Sequence, residues 1–301
     1  MVLDRRDRGN AVTLELRDVS HRYPRERKDV LHDVNLVVPT DESATIAVLG
    51  LSGSGKSTLL SLMGLLWEQP SRGTITYTIT QGGTSRRLEY GQLRSSERTW
   101  LRRQHFGIVL QSSYLIPHLS CAQNLAVPLA LTGHTARQSR IVVDYVLRRA
   151  DELAHATPEE SLFALRRRPA RNVSGGQKQR IAVLRALIHD PHILFADEPV
   201  SNLDFTTARA IQSLIEQWQS GKLHAEIADR LQKSNSATHS RTLLLVNHSV
   251  EHAFRWARYF IVVQQGRVVG LAEENEPKPK RCYSGPEALY SLIEPQVEST
   301  R

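Results

Sequence analysis

The sequence predicts an α/β fold with an antiparallel β subdomain and an inserted α-helical subdomain. Three patterns carry that reading. Continuous apolar runs end in glycine or acid, as strands buried on both faces do. Helical periodicity follows them directly. Strands alternating apolar and polar residues precede them near the N-terminus. The chain has 301 residues, 40% hydrophobic and 23% charged, which suits a soluble globular protein with a sizeable core. The net charge is +8 and the pI about 9.7. Nucleic acid, an anionic membrane face or nucleotide are all compatible with that balance, and it does not choose among them. Cys121 and Cys282 show no metal spacing, so a reducing compartment is expected. No stretch approaches 18 apolar residues and the N-terminus has no apolar leader core, so neither secretion nor membrane spanning is expected.

Taken in order, "VTLELRDVSHRY" and "DVNLVVP" alternate and read as strands, and "ATIAVLG" (44–50) reads as a buried strand ending in glycine. "STLLSLMGLL" carries helical period to about Leu66. "GTITYTIT" (73–80) is a strand, "QLRSSERTWLRRQ" (92–104) a short surface helix, and "FGIVLQ" (106–111) a strand. From 112 to 172 the pattern turns helical, in "SCAQNLAVPLAL" and "SRIVVDYVLRRADEL", before the Arg-rich "RRRPAR". "IAVLRALI" (181–188) reads as a buried helix, "HILFADEP" and "LLLVNHS" as buried strands, and "YFIVVQQGRVVG" (259–270) as a closing hairpin. The expected domain runs from 12 to 270, with the helical subdomain inside it. The polar, Pro-containing tail of 271–301 is expected to have weak structure at best.

"GLSGSGKST" fits G-x-x-x-x-G-K-[ST] between a predicted strand and helix, the context the motif requires. Its glycines Gly50, Gly53 and Gly55, with Ser52 and Ser54, let successive N–H groups turn inward around phosphates. Lys56 supplies a point charge to the β- and γ-phosphates; Ser57, followed by Thr58, offers a hydroxyl to Mg²⁺. In "ILFADEP" four apolar residues lift Asp197 to the C-terminal end of a strand, where α/β sheets bind ligands. Asp197 can hold Mg²⁺, and Glu198 can polarise an attacking water as general base. A nucleoside triphosphate and Mg²⁺ are therefore the expected ligands of a P-loop NTPase core. A second anion site stands in "NVSGGQKQR", where Ser174, Gly175, Gly176 and Gln177 open a helix whose N–H groups and dipole favour negative charge.

"GLSGSGKST", "NVSGGQKQR", "ILFADEP", "SNLD" and His248, in chain order, resemble the nucleotide-binding subunits of ABC transporters. The resemblance runs from Tyr23 to about Gly270. It implies that two subunits pack head to tail and that Ser174 and Gly176 close on the γ-phosphate held by the partner's cradle. It further implies that Tyr23 stacks on adenine and that Gln111 reaches Mg²⁺ and the attacking water. Asp204 corresponds to the loop contacting the partner's cradle, and His248 to the histidine that grips the γ-phosphate. Val173, Asn202 and Asn247 depart from the usual residues without removing a catalytic group. The stretch between Asp204 and His248 is longer than usual. Within it Leu223, Ile227 and Leu231, four apart, predict a short amphipathic helix, either a surface embellishment or a docking site.

"YLIPHLS…NLAVPL" and "QLRSSERTWLRRQHFGIVLQ" look like the subgroup serving lipoprotein release, macrolide-type export and the cell-division complex. That resemblance implies a peripheral ATPase on the cytoplasmic face of the inner membrane, working with an integral membrane permease-type subunit and a second copy or paralogue. A soluble ABC ATPase acting on ribosomes or nucleic acid is the alternative. It usually carries two cassettes or a coiled-coil interruption, and this chain has neither. The basic residues also lack aromatic interleaving, so no nucleic acid is expected. A non-hydrolysing regulatory subunit is opposed by intact Lys56, Glu198 and His248.

Overall fold

The computed structural model describes residues 11–38, 40, 43–67, 69–200, 203–232, 239–269 and 286–293. Asn202 and Gly270 lie outside them. The chain divides into two compact units, one of residues 1–99 and 242–301, the other of 100–241.

In chain order the first stretch contains β1 (Ala11–His21), β2 (Leu31–Val38), β3 (Thr45–Leu49), α1 (Lys56–Met63), β4 (Arg72–Gln81), β5 (Thr84–Glu89) and α2 (Ser95–His105). The middle stretch holds β6 (Phe106–Val109), α3 (Cys121–Leu131), α4 (Ala136–Ala154), α5 (Gly175–Leu187), β7 (Ile193–Asp197), α6 (Phe205–Gln219) and α7 (Lys222–Arg230). The last has β8 (Thr242–Val246), α8 (Val250–Trp256), β9 (Tyr259–Gln264), β10 (Arg267–Val269) and α9 (Pro286–Ile293).

In the first unit an antiparallel sheet runs β2-β1-β4-β5. Val12, Leu14 and Leu16 of β1 are fully buried, every second residue, as the period of a strand with one covered face demands. The other strands of this unit run β10-β9-β3-β8, with β3 parallel to both β8 and β9. Every residue of β3 and β8 is buried, which explains their unbroken apolar sequences. The predicted hairpin of β9 and β10 forms with register Arg267↔Gln264.

In the second unit β6 and β7 pair in parallel, ending at Val109↔Ala196. The helices α3, α4 and α5 each open with a complete capping box: Ser120 with Gln123, Thr135 with Gln138, Ser174 with Gln177. Each satisfies two otherwise orphaned N–H groups. Trp218 of α6 is fully buried and its indole donates to the Pro191 carbonyl at 3.2 Å.

The expected weak structure of the tail is corrected over Pro286–Ile293. Leu289 and Ile293 of α9 join a core cluster with Ala47, Leu49, Val250, Ala253, Phe260 and Val262. Pro286 suits the first helical position, where its missing N–H costs nothing. The inserted helix forms as α7, burying Leu223 and Ile227, while Leu231 falls at its C-cap.

Candidate functional site

The cradle lies wholly in the first unit, between β3 and α1. Its turn needs glycine. Gly50 has φ +149°, and a Cβ there would sit 2.1 Å from the Val263 carbonyl oxygen. Gly55, at φ +107°, would meet Leu31 at 2.9 Å. Gly55 also stands at the N-cap of α1, where it has no side chain to cap the first turn. The N–H groups of Ser57 and Thr58 consequently have no partner inside the helix, which leaves a positive helix end for an anion.

Lys56 is buried, and its ammonium donates to the carbonyls of Gly50 and Leu51 at 2.8 Å each. The same side chain that closes the loop thus holds a positive charge over it. Leu51, Ser52 and Gly53 are exposed while Ser54 is buried. A cavity of about 170 Å³ opens beside the loop, lined by Ser52, Gly53, Val263, Gln265 and, from α9, Ile293.

Tyr23 is brought to this loop: its hydroxyl hydrogen-bonds Thr58 Oγ1 at 2.8 Å. His21 and Trp67 contact its ring edge-on, each with centroids 5.2 Å away. Trp67, half exposed, was missed by the sequence reading; its signal was an indole just beyond α1 with no strand or helix to bury it.

His248, also in the first unit, is exposed on the bend between β8 and α8. Asn247 builds that bend. Its Oδ1 accepts from the Ser249 N–H at 3.0 Å, and its amide nitrogen lies 2.9 Å from His252 Nδ1. The departure from threonine at 247 therefore has a structural role, bracing the turn that presents His248.

The second unit carries the other residues. Asp197 ends β7 and is buried. Glu198 follows in the left-handed region, at φ +50°, which costs a non-glycine residue on the order of 1 kcal/mol. Its side chain is half-buried there. Gln179, buried one turn into α5, donates to the Pro199 carbonyl at 3.2 Å. It ties the helix of the second anion site to the turn after Glu198, a positioning role that no motif advertised.

At the start of α5, Ser174 Oγ accepts from the Gln177 N–H at 3.3 Å, and Gln177 Oε1 accepts from the Ser174 N–H at 2.9 Å. Ser174 and Gly175 are exposed, and nothing lies within 4 Å of where a Gly175 Cβ would stand. This end is open to an approaching group. Asp204 caps α6 by accepting from the Thr207 N–H at 2.9 Å. Hydrogen bonds from Thr207, side chain first and then backbone, hold its carboxyl below the usual range. Phe205 beside it is among the most exposed apolar side chains described, at 79%.

The sequence predicts that Gln111 closes a strand. Instead β6 stops at Val109, where its parallel register with β7 ends, and Gln111 is exposed in the bend beyond. The oxygen donors expected for Mg²⁺ are the Ser57 hydroxyl, the Asp197 carboxylate and the Gln111 amide. All are hard ligands of the kind that ion takes.

Among the described residues no helix is long and apolar enough to cross a membrane. Residues 31–201 match the family model described as ABC transporter. The macrolide export ATP-binding/permease protein MacB of Burkholderia pseudomallei is 34% identical over 262 residues, 85% of this chain and 34% of the relative. The pyoverdine export ATP-binding/permease protein PvdT of Pseudomonas aeruginosa is 30% identical over 277 residues, 91% of this chain and 36% of that one. The chain thus spans about a third of the length of the curated relatives it matches. A dimeric structure of the ATP-binding cassette MJ0796, in a post-hydrolysis state with ADP and Pi, superposes with a TM-score of 0.66. It is 26% identical, and the match covers 85% of this chain and 97% of that one. The cradle, the second helix end and the family match over more than half the chain lead to one assignment: the chain belongs to the ABC transporter family, as an ATP-binding cassette.

Proposed function

We propose that the chain is the ATPase of a membrane complex, closing head to tail with a second copy around two Mg-ATP and using hydrolysis to drive a permease-type partner. The observation that carries this reading is the pair of phosphate-facing helix ends in one chain. The end of α1 serves the ATP held by its own cradle. The exposed end of α5 serves the ATP of the other copy. In this reading Lys56 and the loop N–H groups hold the β- and γ-phosphates, and Tyr23 receives the adenine. Ser57, Gln111 and Asp197 hold Mg²⁺, which neutralises phosphate charge. Glu198 accepts a proton from the attacking water, His248 steadies the γ-phosphate, and Asp204 contacts the facing cradle. The likeness to a cassette captured as a dimer supports the two-copy arrangement.

The relatives named for macrolide and pyoverdine export support a partner of that class, and with such a partner the proposed place of the ATPase is the cytoplasmic face of the inner membrane. Glu198→Gln should retain ATP binding, lose nearly all turnover and accumulate as an ATP-dependent dimer in light scattering. Turnover near the unmodified rate would remove Glu198 from the role of base. Specific activity independent of dilution through the monomer range would sink the shared-site reading. The closed variant should also co-purify an integral membrane protein from gently solubilised membranes. Recovery of ribosomes or nucleic acid in its place would refute the membrane reading.

A further inference from the structure

Away from the nucleotide elements, the second unit gathers five imidazoles from four chain segments. His105 ends α2, His189 and His192 lie between α5 and β7, His224 belongs to α7, and His239 stands just before β8. His192 stacks on His239 with centroids 4.2 Å apart. His105 meets His192 edge-on, and their Nδ1 atoms are 3.3 Å apart. His224 Nδ1 and His239 Nε2 lie 3.2 and 3.6 Å from Asp190 Oδ1. Arg241 clamps the same carboxylate through two bonds, of 2.8 and 3.0 Å. His189 Nε2 faces the Phe106 carbonyl of β6 at 3.1 Å.

One anion, Asp190, is therefore already matched by one permanent cation, Arg241. On His105, His189, His192 and His224 no carboxylate other than Asp190 acts among the described residues. No group of three or more His, Cys, Asp or Glu among the described residues could hold a metal ion either. A proton added to His105, His189, His192 or His224 is opposed by burial and by the neighbouring rings, and where Asp190 offsets it, burial outweighs that carboxylate. Burial pushes His105 and His189 down to about 4 and His192 down to about 3, and it lowers His224.

The element best able to yield is α7. Its nine residues bury only two apolar side chains, Leu223 and Ile227. On its other contacts Tyr145 of α4 hydrogen-bonds Glu226, and the Arg230 guanidinium lies 3.8 Å over the Tyr145 ring. Arg149, one turn further along α4, is engaged by Gln217 of α6. Burial followed by the Glu226 hydrogen bond raises the Tyr145 hydroxyl, so it stays a neutral donor through the acid range. Short helices with little buried area are the parts of a fold that open first.

We propose that the imidazole cluster is an acid-sensitive latch for α7, keeping the inserted helix packed while its rings are neutral and releasing it on protonation. The sign follows from the burial. A histidine held below its ordinary value near 6.5 adds stability above that value, and this is lost as pH falls through 6.5 towards 4. The open form takes up the protons that the closed form excludes. For His189, which the His224 ring of α7 acts on and which is held at about 4, a return to about 6.5 on opening raises the open-to-closed ratio about 20-fold between pH 7 and pH 5.

Hydrogen exchange on the full chain tests this, after correction for the intrinsic pH dependence of exchange. Protection of the α7 amides should fall about 20-fold or more relative to α5 amides between pH 7 and pH 5. His224→Gln and His192→Gln, which keep a polar side chain but do not titrate, should flatten that fall. An unchanged α7-to-α5 ratio, or the same slope in both variants, would overturn the latch. Imidazole resonances of the unmodified chain give a reading that needs no variant. Protonation in one step together with loss of the α7 signals supports the proposal. Independent titration near 6.5 with α7 still protected refutes it.

Discussion

Ser174 has two assignments that a pair of substitutions separates. As the N-cap of α5 it accepts from the Gln177 N–H; as part of the proposed shared site its hydroxyl meets a phosphate of the facing ATP. Removing an exposed cap costs about 1 kcal/mol, so Ser174→Ala should lower the melting temperature by about 2 °C in a chain of this size. Asp caps as well as Ser and its charge suits the helix dipole, so Ser174→Asp should melt at the original temperature or slightly above. Catalysis should follow the opposite order. Ala forfeits a hydrogen bond to a charged group, worth roughly 1.5–3 kcal/mol, or about 10- to 100-fold in rate. Asp places a like charge near the phosphate, a repulsion of about 4 kcal/mol at 4 Å in a partly screened site, or roughly a thousandfold. Phosphate release and scanning calorimetry on the same preparations decide the matter. Stability ranking unmodified ≈ Asp > Ala, with ATPase ranking unmodified > Ala > Asp, fits both roles. An Asp variant with near-normal ATPase would reduce Ser174 to a cap and remove the shared-site argument.

Four substitutions at three cradle positions extend the test. Lys56→Ala removes a buried ammonium that holds the loop and meets the phosphates, so nucleotide affinity should drop at least 10-fold by calorimetry; an unchanged affinity would count against the cradle. Gly50→Ala drives a Cβ to 2.1 Å from the Val263 carbonyl, and a loss of roughly 1–3 kcal/mol in urea titration is expected; wild-type stability would mean that the loop can shift freely. Tyr23→Phe loses only the Thr58 hydrogen bond, so it should cost about 1 kcal/mol of stability and leave ATP affinity intact. Tyr23→Ala should weaken ATP binding as well; if it binds ATP normally, the ring does not receive adenine.

What the sequence made legible is what contiguous residues decide. The buried strands announced themselves because every position of β3 and β8 is covered. The cradle announced itself because one turn of backbone does the work. The missing pieces lacked local signals. Strand β5 buries only Leu88 and is otherwise exposed or half-exposed, so no alternation marks it. Helix α9 hid in a polar, proline-bearing tail because its two buried residues find their core in β3, α8 and β9 neighbours distant in sequence. Gln179 and Asn247 position functional segments through single hydrogen bonds, which composition cannot show. The histidines at 105, 189, 192, 224 and 239 look scattered along the chain; only tertiary packing collects them around Asp190.

The N-terminal ends of α1 and α5 differ in a way that fits their proposed ligands. The end of α1 is capped by glycine, with no side chain satisfying its first turn, and its lysine is folded inward over the loop. Such an end gains most when an anion is present, as expected where the nucleotide of the same chain binds. The end of α5 carries a full capping box and is exposed. It must remain helical when the facing copy is away, and the reciprocal Ser174–Gln177 bonds allow that without a ligand. The box occupies the Gln177 and Ser174 N–H groups and leaves the ends of Gly175 and Gly176 for the visitor. A helix end that caps itself and still offers donors suits a phosphate that arrives and departs with each cycle of closure.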